Sequence, residues 1–323
     1  MTPTRSFLNL LPPGSRRSVN SQFKSAGVTF LVMIAFAANS VLGRVAMISN
    51  DGTLIDPATY TLVRIVFGAV ALLVVQAIRQ RTAAATVSLS WLAGGSHRAA
   101  LMLTMYAVAF SFAYVKLDAA TGTLILFAFV QLTMVGIAAA NGERPRLLEI
   151  AGLVIASLGL VYLLAPSLTN FTVARESLMM MAAGVGWGAY SVLGKVSTDP
   201  VQDTARNFAK SVPLVAVASI LALAVVPVRV TMTGFVLAGI SGAITSGLGY
   251  VLWYSVLPKL RSTQAAAAQL SVPIIAAFGG ILFAGDSVTS RKVSAGLVIL
   301  TGIALTINWW KSDSPTVDHS SNS

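Results

Sequence analysis

The chain alternates long apolar runs with short polar joints. Ten runs stand out, at roughly 27–49, 57–78, 99–115, 119–140, 147–165, 177–197, 204–226, 233–257, 262–284 and 293–310, and they approach or reach the ~20 residues an α-helix needs to cross a ~30 Å hydrocarbon layer. Turn and breaker residues mark the joints: Asn50-Asp51-Gly52, Asp56-Pro57, Asn141-Gly142-Glu143, Pro166-Ser167, Asp199-Pro200 and Gly285-Asp286. Most joints are too short to hold a folded soluble domain. The longest, about 79–98, carries Trp91, a residue type that anchors chains at the membrane–water interface. The pattern predicts an all-α polytopic membrane protein of ten transmembrane helices.

The runs also repeat. Ser40-Val41-Leu42-Gly43-Arg44-Val45 closes the first run and Ser191-Val192-Leu193-Gly194-Lys195-Val196 closes the sixth. Asp56-Pro57 is answered by Asp199-Pro200, Lys116-Leu117 by Lys259-Leu260, and Gly142-Glu143 by Gly285-Asp286. Ala151-Gly152-Leu153-Val154-Ile155 returns as Ala295-Gly296-Leu297-Val298-Ile299. One such match arises easily by chance in apolar sequence, but an ordered series does not. Five spans per half is an odd number, so the second half enters the membrane from the opposite face. The chain therefore divides into a basic tail over 1–26, a first five-helix repeat over 27–166, an inverted second repeat over 177–310 and a disordered tail over 311–323. Inverted repeats are how many transporters build a midplane site that faces either side in turn.

Composition narrows the class further. Of 323 residues, 55% are hydrophobic and only 10% charged, whereas a soluble domain carries roughly 25% charged residues. The net charge of +11 comes from basic residues scattered among the joints, which speaks against nucleic acid as a partner. Their distribution sets orientation instead. Arg5, Arg16, Arg17, Lys24, Arg79, Arg81, Arg98, Arg144, Arg146, Lys259, Arg261 and Lys311 fall on the side of the termini; Lys116, Arg175, Arg229, Arg291 and Lys292 fall on the other. The bias places both termini in the cytoplasm; the expected location is a bacterial inner (plasma) membrane. The acid-free tail over 1–26 reads as a transit peptide or as a cytoplasmic segment that touches anionic lipid. The chain has no cysteine, and His97 and His319 lie in a joint and a tail, so no metal site and no cofactor are expected.

Three stretches carry a resemblance: Gly142-Glu143 followed by Gly152, Gly285-Asp286 followed by Gly296, and Gly249-Tyr250-Val251-Leu252-Trp253-Tyr254 running on to Pro273. With the two five-span halves, they resemble the EamA-type members of the drug/metabolite transporter superfamily over about residues 27–310. The resemblance implies a central cavity among the third, fourth, eighth and ninth helices, gates from the first, second, sixth and seventh, and outward transport. The fourth run has Val130 and Gln131 where the ninth has Pro273, so a helix break is expected at Pro273 alone.

Polar residues within the runs supply the candidate chemistry. An arginine at a helix centre costs on the order of 2.5–3.5 kcal/mol on insertion scales, and Arg64 lies well inside the second run. It serves either as a cavity guanidinium for a carboxylate or phosphate, or as a structural residue that snorkels or bonds helix-end carbonyls. Arg206 in the seventh run, nearer its start, reads as snorkelling. Arg44 and Lys195 end the first and sixth helices on opposite faces; they are gating charges or ordinary helix-end cations favoured by the dipole. Asn39 and Tyr190 occupy equivalent repeat positions, and Gln131 and Gln269 are deep amides that need a wet or protein-lined surrounding. These four, with Arg64, Tyr106, Tyr250 and Trp253, are the candidate substrate-binding residues.

All eleven acids fall in joints, tails or span ends, so no midplane carboxylate is available for a proton relay or as counter-ion to a polycation. The sequence thus points to a transporter of small metabolites, amino acids or related neutral, zwitterionic or anionic solutes, working by alternating access. No His, Asp, Glu or Cys lies deep in a run, which argues against an intramembrane enzyme. The alternative is a channel-like or passive assembly subunit, although no ring of like charge is evident. The expected partners are the solute and the bilayer; a homodimer is admissible.

Overall fold

The computed structural model describes residues 13–48, 53–82, 94–142, 146–166, 171–194, 197–256 and 268–306. They form ten helices: α1 (Pro13–Met47), α2 (Pro57–Thr82), α3 (His97–Ala113), α4 (Ala119–Ala140), α5 (Leu147–Leu164), α6 (Phe171–Gly194), α7 (Pro200–Leu223), α8 (Met232–Val256), α9 (Ser271–Ala284) and α10 (Ser290–Thr306). Seven of them are long and apolar enough to cross a membrane. Large apolar side chains such as Leu158, Leu221 and Phe283 stand on the outside of the bundle, where only lipid tails accommodate them. Among the described residues there is no strand, only an isolated antiparallel bridge between Ile55 and Val230. The chain is an integral membrane protein.

The helices begin where the joints predict, because polar side chains satisfy their first free N–H groups. Asp56 accepts from the Thr59 amide at 2.8 Å, Asp118 from Thr121 at 2.9 Å, and Asp199 from Gln202 at 3.1 Å. Two helices start well before the expected residue. Helix α1 already starts at Pro13, so part of the basic tail is helical. Helix α6 starts at Phe171, six residues before the predicted 177, which carries Glu176 into the helix.

Packing runs between the halves as much as within them. Helix α2 lies on α7, α4 on α9 and α5 on α10, while α3 packs on α6 and α1 on α8. Helix α8 is regular over Met232–Ile240 and Gly249–Val256, but widens to π-helical turns over Ser241–Leu248. Such turns shift the side chains of a helix out of register with the regular face and recur at functional sites. Glycines let α2 and α8 touch there: a Cβ on Gly242 would fall on the Arg64 backbone carbonyl, and one on Gly68 would stand 3.2 Å from the Gly242 oxygen. This crossing fixes Arg64 against the widened segment.

Candidate functional site

At the centre of the bundle a buried polar knot joins α1, α2, α3 and α8. The Asn39 amide nitrogen donates to the Tyr106 hydroxyl at 3.1 Å. The Asn39 carbonyl oxygen accepts from Ser241 at 2.8 Å and Thr245 at 3.3 Å, both on the π-helical segment. Arg64, 1% exposed, donates from Nη2 to Tyr106 at 2.9 Å and from Nε to Ser246 at 3.3 Å. Its guanidinium carbon lies 4.7 Å from the Phe110 ring centre and 5.1 Å from that of Tyr106, so two π faces share the charge. Its Nη1 has no partner.

Beside the knot lies a cavity of about 20 Å³, lined by Phe36, Asn39, Ser40, Tyr106, Phe110, Leu126, Phe127, Trp187, Thr245 and Tyr250. That volume holds about one water, far below the roughly 300–1,000 Å³ of a small-molecule site. Aromatic rings pack against one another along its wall: Trp187 lies 4.9 Å from Tyr250 and 5.1 Å from Tyr106, and Phe36 lies 5.9 Å from Tyr250, centre to centre. None of the lining residues is charged.

Side-chain bonds tie helices together at both ends of the bundle. At the end where α1, α3 and α9 finish and α4 begins, the Arg44 Nε meets Asp286 at 3.1 Å and its Nη1 donates to the Tyr114 carbonyl at 3.3 Å. Asp286 also accepts from the Ala119 amide at 2.8 Å, and Lys292 meets Asp118 at 2.9 Å. Gly285, at φ +66°, provides the left-handed turn that brings Asp286 back onto this corner. At the opposite end, the start of α3 is tied to α7: the Ser96 amide donates to Asn207 at 3.2 Å and Lys210 to the Gly95 carbonyl at 3.1 Å.

Of the sequence-predicted residues, the structure brings Asn39, Tyr106 and Tyr250 to the cavity wall and places Arg64 directly against Tyr106. Tyr190 stacks on Trp187 at 5.6 Å and Trp253 packs on Phe36 at 5.9 Å, both buried but off the wall. Gln131 and Gln269 are half-buried and do not line the cavity. Arg44 is no bare helix-end cation but one arm of an ion pair. Lys195 lies outside the described residues. The cavity helices are α1, α3, α4, α6 and α8; α9, placed at the wall by the resemblance, packs instead on α1 and α4. Its break falls at Leu270, just before Ser271, and Pro273 has no N–H to bond back across it.

Sequence reasoning missed Phe36, Trp187, Thr245 and Ser241, apolar or small residues whose importance lies in which face of the helix they occupy. It also missed Glu176, which is 1% exposed, with Oε1 held by Arg175 at 2.6 Å and Oε2 without a partner. The signal was present: an acid followed by an unbroken apolar run, read as a joint because the helix was started too late.

The model of the EamA-like transporter family matches residues 174–308. A protein of Pseudomonas aeruginosa, itself uncharacterised, is 40% identical over 86% of this chain and 92% of its own length. A Salmonella typhimurium protein named "Probable amino-acid metabolite efflux pump" is 22% identical over 62% of this chain and 71% of its own. An uncharacterised transporter of Bacillus subtilis is 24% identical over 50% and 57%. A solved crystal structure superposes with a TM-score of 0.59 at 17% identity, covering 88% of this chain and 96% of that one, and so shares the fold. With a buried polar cavity inside a lipid-facing helical bundle, these likenesses have one reading: the chain belongs to the EamA-like transporter family of the drug/metabolite transporter superfamily.

Proposed function

We propose that the protein is a carrier that moves small metabolites outward across a bacterial inner membrane by alternating access, with both termini in the cytoplasm. Its solutes are amino acids or related neutral, zwitterionic or anionic compounds. The observation that carries this reading is the one-water cavity, walled by rings and polar groups from five helices, with ties across both ends of the bundle. A carrier narrows to a small central cavity with bonded helix ends between its two open states, whereas a pore stays continuous in its conducting form. Helix pairing across the two halves supports the reading too. Helix α2 packs on α7, α4 on α9 and α5 on α10, a pairing that agrees with two five-helix repeats of opposite sense.

On this reading the Arg44–Asp286 corner is the periplasmic gate, and the α3–α7 ties close the cytoplasmic side. No described acid lines the cavity, so movement follows the solute's own gradient, or exchange, without a midplane proton relay. The chain lacks cysteine, which permits a direct test. A single cysteine replacing Ser40 in the cavity wall should react with impermeant thiol reagents from either face. Joining cysteines at positions 44 and 286 with a short cross-linker should stop labelling from the periplasm and leave cytoplasmic access intact. Labelling from both sides with the corner cross-linked contradicts alternating access.

A further inference from the structure

We propose that α8 works in two registers. In the structure its turns are widened over Ser241–Leu248. Drawn back to a regular α-helix, the segment releases one residue, which takes Tyr250 out of the cavity wall and sets Gly249 in its place. The proposal rests on the carrier reading and names the movement that enlarges the same cavity.

Helix geometry gives the first reason. The Gly249 amide reaches the Ile244 and Ser246 carbonyls, five and three residues back, whereas a regular α-helical amide bonds the fourth. A widened turn holds one residue more than an α turn, so each residue beyond it sits where its predecessor would stand in an unbroken helix. The crossing at Gly242, packed on the Arg64 backbone, fixes the start of the segment, and a change of register therefore appears at its far end. Losing the extra residue turns Gly249–Val256 by about 100° and advances it by about 1.5 Å.

The rings beyond the segment give the second. Tyr250 packs 4.9 Å from Trp187, 5.9 Å from Phe36 and 5.7 Å from Phe208, and Trp253 packs 5.9 Å from Phe36. After the shift Gly249 stands in the place of Tyr250 and Leu252 in that of Trp253. A hydrogen atom replaces a phenol ring in the wall of a cavity that now holds about one water. On the lipid side the exchange is apolar for apolar: Val251 moves to the place of Leu252, which is 39% exposed, and the half-buried place of Val251 receives Tyr250.

Few bonds hold the widened register, and all come from side chains. Ser241 donates to Asn39 at 2.8 Å, and Arg64 Nε donates to Ser246 at 3.3 Å. The Thr245 hydroxyl proton is shared between the Ser241 carbonyl at 2.8 Å and Asn39 at 3.3 Å. The shift moves Thr245 toward the place of Ser246, so Arg64 is offered a hydroxyl in both registers. Asn39 shares α1 with Arg44, which links the register of α8 to the ion-paired corner.

Cysteine pairs on this cysteine-free chain read the register. A Cβ on Gly249 would lie 3.5 Å from that of Ala35, a disulfide separation. Leu248, 41% exposed, is turned to lipid and takes the place of Gly249 only in the regular register. Ala35→Cys is therefore paired with Gly249→Cys or with Leu248→Cys and oxidised by copper phenanthroline in membrane vesicles. Both links should form, and Ser241→Ala should raise the 35–248 yield relative to 35–249 by about fivefold, the scale of one hydrogen bond. Deleting Ala243 leaves the chain one residue short of the widened turn, so α8 becomes regular with Tyr250 still in the wall. There 35–249 should persist, 35–248 should vanish, and labelling of Ser40→Cys by a charged methanethiosulfonate should fall about tenfold or more. No 35–248 link in the intact chain, a 35–248 link that survives the deletion, or undiminished Ser40→Cys labelling in a folded deletion variant overturns the proposal. Should the deletion variant fail to fold, the two links in the intact chain and their response to Ser241→Ala decide. Alternating labelling of Ser40→Cys without a 35–248 link overturns the two registers and leaves the carrier. Links that behave as stated, with Ser40→Cys labelled from both faces while positions 44 and 286 are cross-linked, do the opposite.

Discussion

Two arginines of this protein face opposite situations. Arg44, at a corner of the bundle, is 14% exposed along its side chain and finds Asp286 at 3.1 Å, while Asp286 itself takes the free amide at the start of α4. Arg64, at the centre, is enclosed and finds rings and hydroxyls but no acid. The corner is a completed circuit that holds helix ends together. The centre is an open one, because no described acid is bonded to the guanidinium. The same side chain is thus matched by a carboxylate at the corner and by hydroxyls and rings at the centre.

The largest expected effect concerns the support beneath the open circuit. Gly242→Leu drives a side chain into the Arg64 backbone, where α2 and α8 touch, and should abolish folded protein in size-exclusion chromatography after membrane extraction. A folded, active Gly242→Leu protein breaks the picture of a rigid centre. Next comes the corner. Asp286→Asn leaves Arg44 part-buried without its counter-charge and should cost about 2 kcal/mol, read as a lower melting temperature in detergent. Arg44→Gln added to it should cost little more, because the two act as one unit.

Arg64→Met sharpens the contrast. It removes an unmatched buried charge together with two hydrogen bonds, losses that offset, so stability should stay within about 1 kcal/mol while uptake fails. A loss as large as that of Asp286→Asn, with transport intact, makes Arg64 structural and erases the distinction. The smallest effect belongs to Lys292, whose pair with Asp118 is partly solvated: Lys292→Met should move stability by no more than about 0.5 kcal/mol.

Much of this was legible in the sequence. Bilayer thickness dictates the apolar runs, and Asp-Pro joints dictate where α2 and α7 start, since both rules are local. Asn39, Arg64, Tyr106 and Tyr250 were found because a polar group inside a long apolar run is expensive and needs a partner. Cost alone does not reveal position across the bundle. Gln131 and Gln269 satisfy the same criterion yet lie off the cavity wall, and Trp187, which stands in that wall, has no distinguishing cost among apolar neighbours. The π-helical turns of α8 also left no local mark beyond a cluster of glycine, serine and threonine, because tertiary contact with α2 selects them. Glu176 escaped through an error of six residues in one helix start.

Counter-flow tests the central claim most directly. Purified protein in liposomes preloaded with an unlabelled amino acid that it transports should take up the labelled compound faster and to a transient excess over unloaded liposomes, because an alternating cavity returns occupied. Uptake that is indifferent to preloading contradicts the carrier and leaves a pore.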